Sequence, residues 1–243
     1  MKRILLIFLF SFNICASKKT AVFVVGMHRS GTSAMTGMLQ QLGLYLGNNL
    51  LGTTQANPKG HFEHLASVLL NDIILMELNS AWYSLQPLHL DWASSQGVDI
   101  ISKIRVHLDY YFGAHSLFGL KDPRMCLLLF GYMAAAHQLG FTVKLIIMER
   151  NTEEIVASLV ARDNMDPAYA RALAEYYKRC IELYTSHQHR LKITFDDLVN
   201  KTELTILRIA HFLPELTIDK KRFDAARVFI DKNLKHHNLV QKI

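Results

Sequence analysis

Hydrophobic residues are concentrated in four short runs, at residues 22–25, 117–120, 143–148 and 191–195. Valine, isoleucine, leucine and phenylalanine dominate these runs, which is typical of strands that are buried on both faces. We therefore predict that the four runs are parallel strands of one sheet in the core of the protein.

Between these runs, apolar residues recur at the three- and four-residue spacing of amphipathic helices. The pattern predicts helices over residues 33–42, 65–78, 99–111, 125–139, 152–161, 168–189 and 203–212. Gly43, Gly140 and Pro214 lie just beyond three of them, where helices commonly end, and Thr152 is a predicted N-cap. Because strands alternate with helices, we expect right-handed crossovers and a three-layer α/β/α fold of the α/β class with a mostly parallel sheet.

Composition adds limits on function. The chain has 243 residues, of which half are hydrophobic and a fifth charged, and this suits one soluble domain, predicted at residues 18–243. The formal net charge is +6, but the basic residues are scattered, so nucleic-acid binding is not expected. Cys15, Cys126 and Cys180 show no metal-ligand spacing and no disulfide framework.

The N-terminus has the pattern of a targeting segment. Lys2 and Arg3 precede a short apolar stretch over residues 4–15, and Cys15-Ala16-Ser17 is an acceptable cleavage site. The stretch is too short to span a membrane comfortably. We predict that residues 1–17 are a signal-like or membrane-targeting segment, with membrane association or entry into the secretory pathway through it.

The most informative chemistry follows the first strand. Residues 26–33 form a glycine-bounded segment that leads directly into a predicted helix, an arrangement whose N–H groups converge on an anion. The glycine spacing is that of the P-loop of nucleoside-triphosphate hydrolases, but Thr32 stands where those enzymes carry lysine. Arg29, with the hydroxyls of Ser30, Thr32 and Ser33, offers donors to phosphate. The segment predicts a P-loop-like site for a phosphorylated ligand other than ATP.

Other polar residues follow the predicted strands in the same way. Residues 121–124 come after the second strand, and Arg150 comes after the third. Ligands of parallel α/β sheets bind at the carboxyl ends of the strands. We therefore expect residues 26–33, residues 121–124 and Arg150 to gather at one edge of the sheet.

At this point the chain resembles a known family. The segment GMHRSGTS at 26–33 resembles the 5′-phosphosulfate loop of the bacterial-type sulfotransferases that use 3′-phosphoadenylyl sulfate (PAPS) as donor. Further segments resemble other motifs of that family in the expected order: NPKGHFE at 57–63, GLKDPR at 119–124, ERNTEEIVAS at 149–158 and TFDDL at 194–198. The resemblance spans roughly residues 21–238.

The resemblance implies a role for each matching residue. It implies that Arg29 and the backbone of the loop hold the 5′-phosphosulfate, and that Arg29 stabilises the leaving group. It further implies that Arg150 and Ser158 hold the 3′-phosphate. The predicted donor-binding residues are Arg29, Ser30, Gly31, Thr32, Ser33, Arg150 and Ser158. No metal is expected.

The general base is left among three residues. Glu63 is favoured, because the family places its segment beside the acceptor, and His61 and His64 flank it with a side chain suited to proton transfer. Arg29, Glu63 and His61 are the predicted catalytic residues. Trp82, Tyr83 and Trp92 could line an acceptor pocket or belong to the core.

The implied reaction is in-line transfer of a sulfuryl group from PAPS to a hydroxyl or amine of a carbohydrate or small molecule. The donor must be present where the enzyme works, which suggests the cytoplasm or a Golgi lumen. Two alternatives stay open. A P-loop nucleotide kinase would need a lysine near the second glycine and a Mg²⁺-binding carboxylate, for which Asp122 is a poor substitute. The other alternative is a catalytically inactive nucleotide- or glycan-binding protein of the same fold.

Overall fold

Four parallel strands form one sheet in the order β2-β1-β3-β4. The computed structural model describes residues 19–55 and 57–230, so the predicted targeting segment lies outside the described residues. The strands are β1 (Lys19–Val25), β2 (Leu117–Lys121), β3 (Phe141–Glu149) and β4 (Arg190–Thr194). The predicted strands are confirmed, and the sheet is parallel at every pairing of the described strands.

Helices fill the intervals between the strands. The described residues form α1 (Thr32–Gln41), α2 (Leu65–Glu77), α3 (Ser95–Phe112), α4 (Leu129–Gln138), α5 (Thr152–Asp163), α6 (Pro167–Thr185), α7 (Phe195–Asn200), α8 (Thr202–Phe212) and α9 (Lys220–Phe229). None of these helices is both long and apolar enough to cross a bilayer. The sequence pattern missed α7, which has only six residues, and α9, in which Ala226 alone is fully buried.

Three local predictions need correction. The predicted helix over 125–139 is divided, because Asp122 caps a 3-10 turn at Pro123–Cys126 and α4 starts only at Leu129. The N-cap of α5 is Asn151, whose Oδ1 accepts from Glu153 N at 2.8 Å, and not Thr152. The predicted helix over 168–189 ends at Thr185.

Side chains of the strands alternate between two hydrophobic cores, one on each face of the sheet. In β1, Phe23 and Val25 pack into the core that includes α3, α4, α5 and α6. Val22 and Val24 of the same strand pack into the core that includes α1, α7 and α8. This alternation, with helices over both faces, is the predicted three-layer α/β/α arrangement.

The course of the chain places a crevice between β1 and β3. The helix after β1 packs on one face of the sheet, through Met35 and Met38. The helix after β3 packs on the opposite face, through Ile155 and Leu159. Adjacent parallel strands whose connections leave towards opposite faces open a crevice at their carboxyl ends, which is where ligands of such folds bind.

Candidate active site

The loop between β1 and α1 has a backbone that few residues adopt. Gly31 has φ +94°, and a Cβ at this position would lie 2.4 Å from Cδ2 of Phe195. Arg29 also lies in the left-handed region, with φ 69°, at a cost of roughly 1–2 kcal/mol for a residue with a Cβ. The surrounding structure must therefore hold this loop in place, as is common at functional sites.

Hydrogen bonds from three directions hold the loop. Ser30 Oγ donates to Met27 O at 2.7 Å within the loop, and Arg150 Nη1 donates to Arg29 O at 2.9 Å. Beneath the loop, Gly26 N donates to Sγ of the buried Cys126 at 3.3 Å. The Ser30 side chain is itself buried, and its backbone N–H also donates to Met27 O, at 3.1 Å, so both donors of Ser30 serve to hold the loop.

The residues predicted to bind donor phosphates come together although they are distant in sequence. Arg29 Nε donates to Ser158 Oγ at 2.7 Å, across 129 residues of chain. Arg150 Nε donates to Glu154 at 2.7 Å, and its guanidinium lies 4.6 Å from the ring centroid of Phe195. The structure thus joins the glycine loop and the predicted 3′-phosphate residues into one site.

Positive charge is concentrated there. Burial lowers the pKa of Arg29, and the nearby Arg162 and Arg150 lower it further. Cations that repel one another in a partly desolvated site are stabilised when an anion binds among them. The electrostatics therefore favour a polyanionic ligand at this place.

These side chains line a single cleft that opens to solvent. The predicted residues that line it are Arg29, Gly31, Thr32, Ser33, His61, Glu63, Arg150 and Ser158. Other residues that line the cleft had no predicted role, and these include His28, Lys121, Arg162, Phe195 and Phe229. The cleft therefore contains most of the predicted site and several residues that sequence reasoning missed.

Lys121 was expected at this edge of the sheet, among residues 121–124, but had no predicted role. It is the last residue of β2 and only 2% exposed. Its Nζ donates to Ser33 Oγ at 3.0 Å, to His61 O at 2.9 Å and to Glu63 Oε1 at 2.5 Å. A lysine at the end of an otherwise apolar strand is the sequence signal that could have identified it, since a buried ammonium needs acidic or carbonyl partners.

A buried polar network supports the other side of Glu63. Arg124 Nη1 lies 3.9 Å from Glu63 Oε2 and donates to Asp122 Oδ1 at 3.0 Å. Asn71 Nδ2 donates to Asp122 Oδ2 at 2.9 Å, and Asn71 Oδ1 accepts from the Tyr132 hydroxyl at 2.7 Å. Burial raises the pKa of Asp122. Asp122 thus fixes Arg124, and it has neither the exposure nor the free oxygens of a metal ligand.

The two histidines beside Glu63 differ in position. His61 lines the cleft, with Nδ1 3.0 Å from Asn57 Nδ2 and Nε2 3.1 Å from Thr54 Oγ1. An amide donating to Nδ1 leaves the ring proton on Nε2, so both ring nitrogens are engaged. His64 instead packs against Tyr111 at 4.6 Å and contacts Ser67, outside the residues that line the cleft. Burial lowers the pKa of both histidines.

The aromatic residues between α2 and α3, in residues 79–94, also lie in different surroundings. The Trp82 ring lies 4.5 Å from that of His28, a residue of the glycine loop. His28 Nε2 is buried and has no hydrogen-bond partner among the described residues, and burial holds its pKa well below 6.5. Trp92 instead packs against the hydrophobic core and contacts the exposed Phe130 ring, and Tyr83 is half exposed.

Within residues 19–55 and 57–230, no three histidine, cysteine, aspartate or glutamate side chains are grouped so that they could hold a metal ion. Among the described residues that line the cleft, the charged side chains are three arginines, two lysines and one paired glutamate.

Comparison with known proteins identifies the fold. No family model and no curated protein sequence matches the chain. It is similar in structure to the sulfotransferase domain of the olefin synthase from Synechococcus PCC 7002, with a TM-score of 0.53 and 18% identity over 91% of this chain and 84% of that one. A sulfotransferase domain from the curacin biosynthetic pathway gives 0.51 and 16%, over 89% of each chain. Sulfotransferase STF9 from Mycobacterium avium gives 0.50 and 13%, over 87% and 67%.

The chain thus has the α/β fold of sulfotransferase domains, and the resemblance found in its motifs is confirmed at the level of the fold. Identities of 13–18% establish the fold alone. The activity must be argued from the cleft.

Proposed function

We propose that this protein is a sulfotransferase that moves a sulfuryl group from PAPS to a hydroxyl or amine of a carbohydrate or small molecule. The observation that carries the proposal is the hydrogen bond from Arg29 to Ser158 at 2.7 Å, with Arg150 bonded to the same loop. It joins the loop that resembles a 5′-phosphosulfate site to the residues that resemble a 3′-phosphate site. A donor with anionic groups on both the 3′ and the 5′ position of its ribose fits a cleft built in this way.

Each part of the reaction has a candidate group. The loop N–H groups from Gly31 to Ser33 and the N-terminus of α1 bind the phosphosulfate, and Arg150 with Ser158 binds the 3′-phosphate. As the acceptor oxygen or nitrogen bonds to sulfur, the bond from sulfur to the bridging oxygen breaks, and Arg29 stabilises the negative charge on that oxygen. The acceptor's proton passes to a base, for which Glu63 is the candidate.

A binding experiment separates this proposal from the nucleotide-kinase alternative. We expect the full chain to bind 3′-phosphoadenosine 5′-phosphate (PAP) without a metal ion in isothermal titration calorimetry, and to bind ATP with Mg²⁺ weakly or not at all. The reason is that the loop lacks the P-loop lysine, whereas Arg150 and Ser158 are the residues proposed to hold a 3′-phosphate. Clear binding of ATP with Mg²⁺ and none of PAP would overturn the proposal.

A second readout addresses the inactive-binder alternative. Transfer of ³⁵S from labelled PAPS to a panel of sugars, phenols and amines is expected for at least one acceptor. PAP binding without transfer to any member of such a panel would favour a protein that binds the nucleotide and performs no chemistry.

A further inference from the structure

Lys121 connects the two halves of the cleft. Its ammonium bonds Ser33 Oγ in the donor loop and both His61 O and Glu63 Oε1 in the segment at the acceptor side. An ammonium has three N–H donors, so all three are in use. Because Lys121 is buried, water cannot replace a partner that it loses.

The ion pair restrains Glu63 as a base. Its side chain is 8% exposed, with Oε1 2.5 Å from Lys121 Nζ and Oε2 3.9 Å from Arg124 Nη1. If Glu63 took a proton in this arrangement, the buried Lys121 ammonium would lose its counter-ion. Breaking a buried pair from one side is strongly unfavourable. Glu63 is therefore a poor proton acceptor while Lys121 remains bonded to it.

A bound donor would change this balance. Ser33 belongs to the loop assigned to the phosphosulfate, and its hydroxyl oxygen accepts a hydrogen bond from the Lys121 ammonium. Sulfuryl oxygens at that loop carry negative charge and compete for the same ammonium. Lysine can follow them, because its charge sits at the end of a flexible four-carbon chain.

We propose that Lys121 couples donor binding to proton removal: the sulfuryl group draws the ammonium away from Glu63, and the released carboxylate accepts the proton of the acceptor. This inference rests on the proposed function. In the coupled step the bond from acceptor oxygen to sulfur forms and the bond from sulfur to phosphate oxygen breaks. The proton moves to Glu63, and Lys121 keeps its three protons. After the product leaves, Glu63 loses its proton to water and pairs with Lys121 again.

The first test compares two ligands that differ in the sulfuryl group. In calorimetric titrations, Lys121→Met should weaken PAPS binding about tenfold, which corresponds to ~1.4 kcal/mol, and leave PAP binding unchanged. Lys144→Met is the matched control. Lys144 is also a buried lysine bonded to a carbonyl and a carboxylate, Phe212 O at 2.9 Å and Glu215 at 2.8 Å, and it does not line the cleft. The Lys144→Met variant should change neither the affinity for PAP nor the affinity for PAPS.

The second test counts protons and leaves Lys121 in place, so it holds even if Lys121→Met fails to fold. PAPS is titrated at pH 6 in two buffers of different ionisation enthalpy, into the wild type and into Glu63→Gln. The wild type should take up more protons than the variant, because only its freed carboxylate can accept one. Using the same ligand for both proteins cancels the protonation of the nucleotide itself.

The outcomes are distinct. Equal weakening of PAP and PAPS by Lys121→Met, or equal proton uptake by wild type and Glu63→Gln, would overturn the coupling and leave Lys121 with a structural role only. If the wild type binds neither PAP nor PAPS, it is the proposed function that fails.

Discussion

Replacing Arg150 by alanine tests the centre of the site most directly. Arg150 is buried beside the glycine loop, where it bonds Glu154 and Arg29 O and lies over the Phe195 ring. Of the five N–H donors of a guanidinium, these two bonds within the described residues use one on Nε and one on Nη1. The remaining donors are available for a 3′-phosphate.

The expected magnitude has two parts. Loss of charge-assisted hydrogen bonds to the 3′-phosphate costs about 1.5–3 kcal/mol. Because Glu154 already shares the charge of Arg150, we take ~2 kcal/mol, which is roughly a 30-fold loss of affinity. Loss of the hydrogen bond to Arg29 O loosens the loop by about 1 kcal/mol, and this part weakens every ligand of the loop equally.

A comparison of PAP with AMP separates the two parts, since AMP lacks the 3′-phosphate. Calorimetric titration of Arg150→Ala with both nucleotides should lower the ratio of PAP to AMP affinity about 30-fold relative to wild type. Arg171→Ala is the control. Arg171 is paired with Glu153 of α5 on the exposed side and does not line the cleft, so the ratio should stay constant.

Equal loss of PAP and AMP binding in Arg150→Ala would refute the assignment. Arg150 would then act only by shaping the loop through Arg29 O. Unchanged affinity for both nucleotides would remove Arg150 from the site altogether.

Two further predictions concern stability. Gly31→Ala should lower the free energy of unfolding, measured in urea, by ~2 kcal/mol more than Gly140→Ala does. Both glycines have positive φ, but only a Cβ at Gly31 would meet a neighbour, Phe195 at 2.4 Å. Equal losses in the two variants would mean that the loop relaxes around the methyl group. Burial, with a smaller contribution from His64, lowers the pKa of His107 to about 4 from its usual 6.5. Its neutral form is therefore favoured in the folded state. The contribution of neutral His107 to the free energy of unfolding should therefore be fully present above pH 6.5. It should be lost progressively towards pH 4, with a loss of about 2 kcal/mol at pH 5. His107→Gln should flatten this dependence in urea unfolding at pH 8, 6 and 5, and parallel pH profiles for the two proteins would contradict it.

Local sequence was sufficient for the elements that depend on periodicity. The apolar runs of β1 and β3 alternate between two cores, and buried parallel strands leave that pattern in any sequence. The sequence also predicted the helix ends at Gly43 and Gly140, and in the structure both glycines have the positive φ that such ends require. Arg29 and Arg150 could be placed at one edge because each follows a predicted strand, whereas Ser158 was proposed only from the resemblance to a family motif.

Local sequence was insufficient where several contacts compete. Both Asn151 and Thr152 can cap a helix. Asn151 is the N-cap of α5, because the Thr152 hydroxyl instead donates to Glu175 of α6 at 3.0 Å. The division of the predicted helix at 125–139 similarly depends on Asp122, which caps the 3-10 turn while its carboxylate is held by Asn71 from α2. Short-range propensities are weak, and tertiary contacts override them.

The sequence by itself therefore determined the order of strands and helices along the chain, the glycine loop and the edge of the sheet at which the candidate site lies, because these follow from spacing along the chain. The tertiary structure alone decided that Lys121 joins Ser33 to Glu63 across 88 and 58 residues. It also decided that His64 turns away from the cleft. The physical reason is that a buried charge is stabilised by whichever partners the fold brings within hydrogen-bonding distance, and no local pattern records those partners.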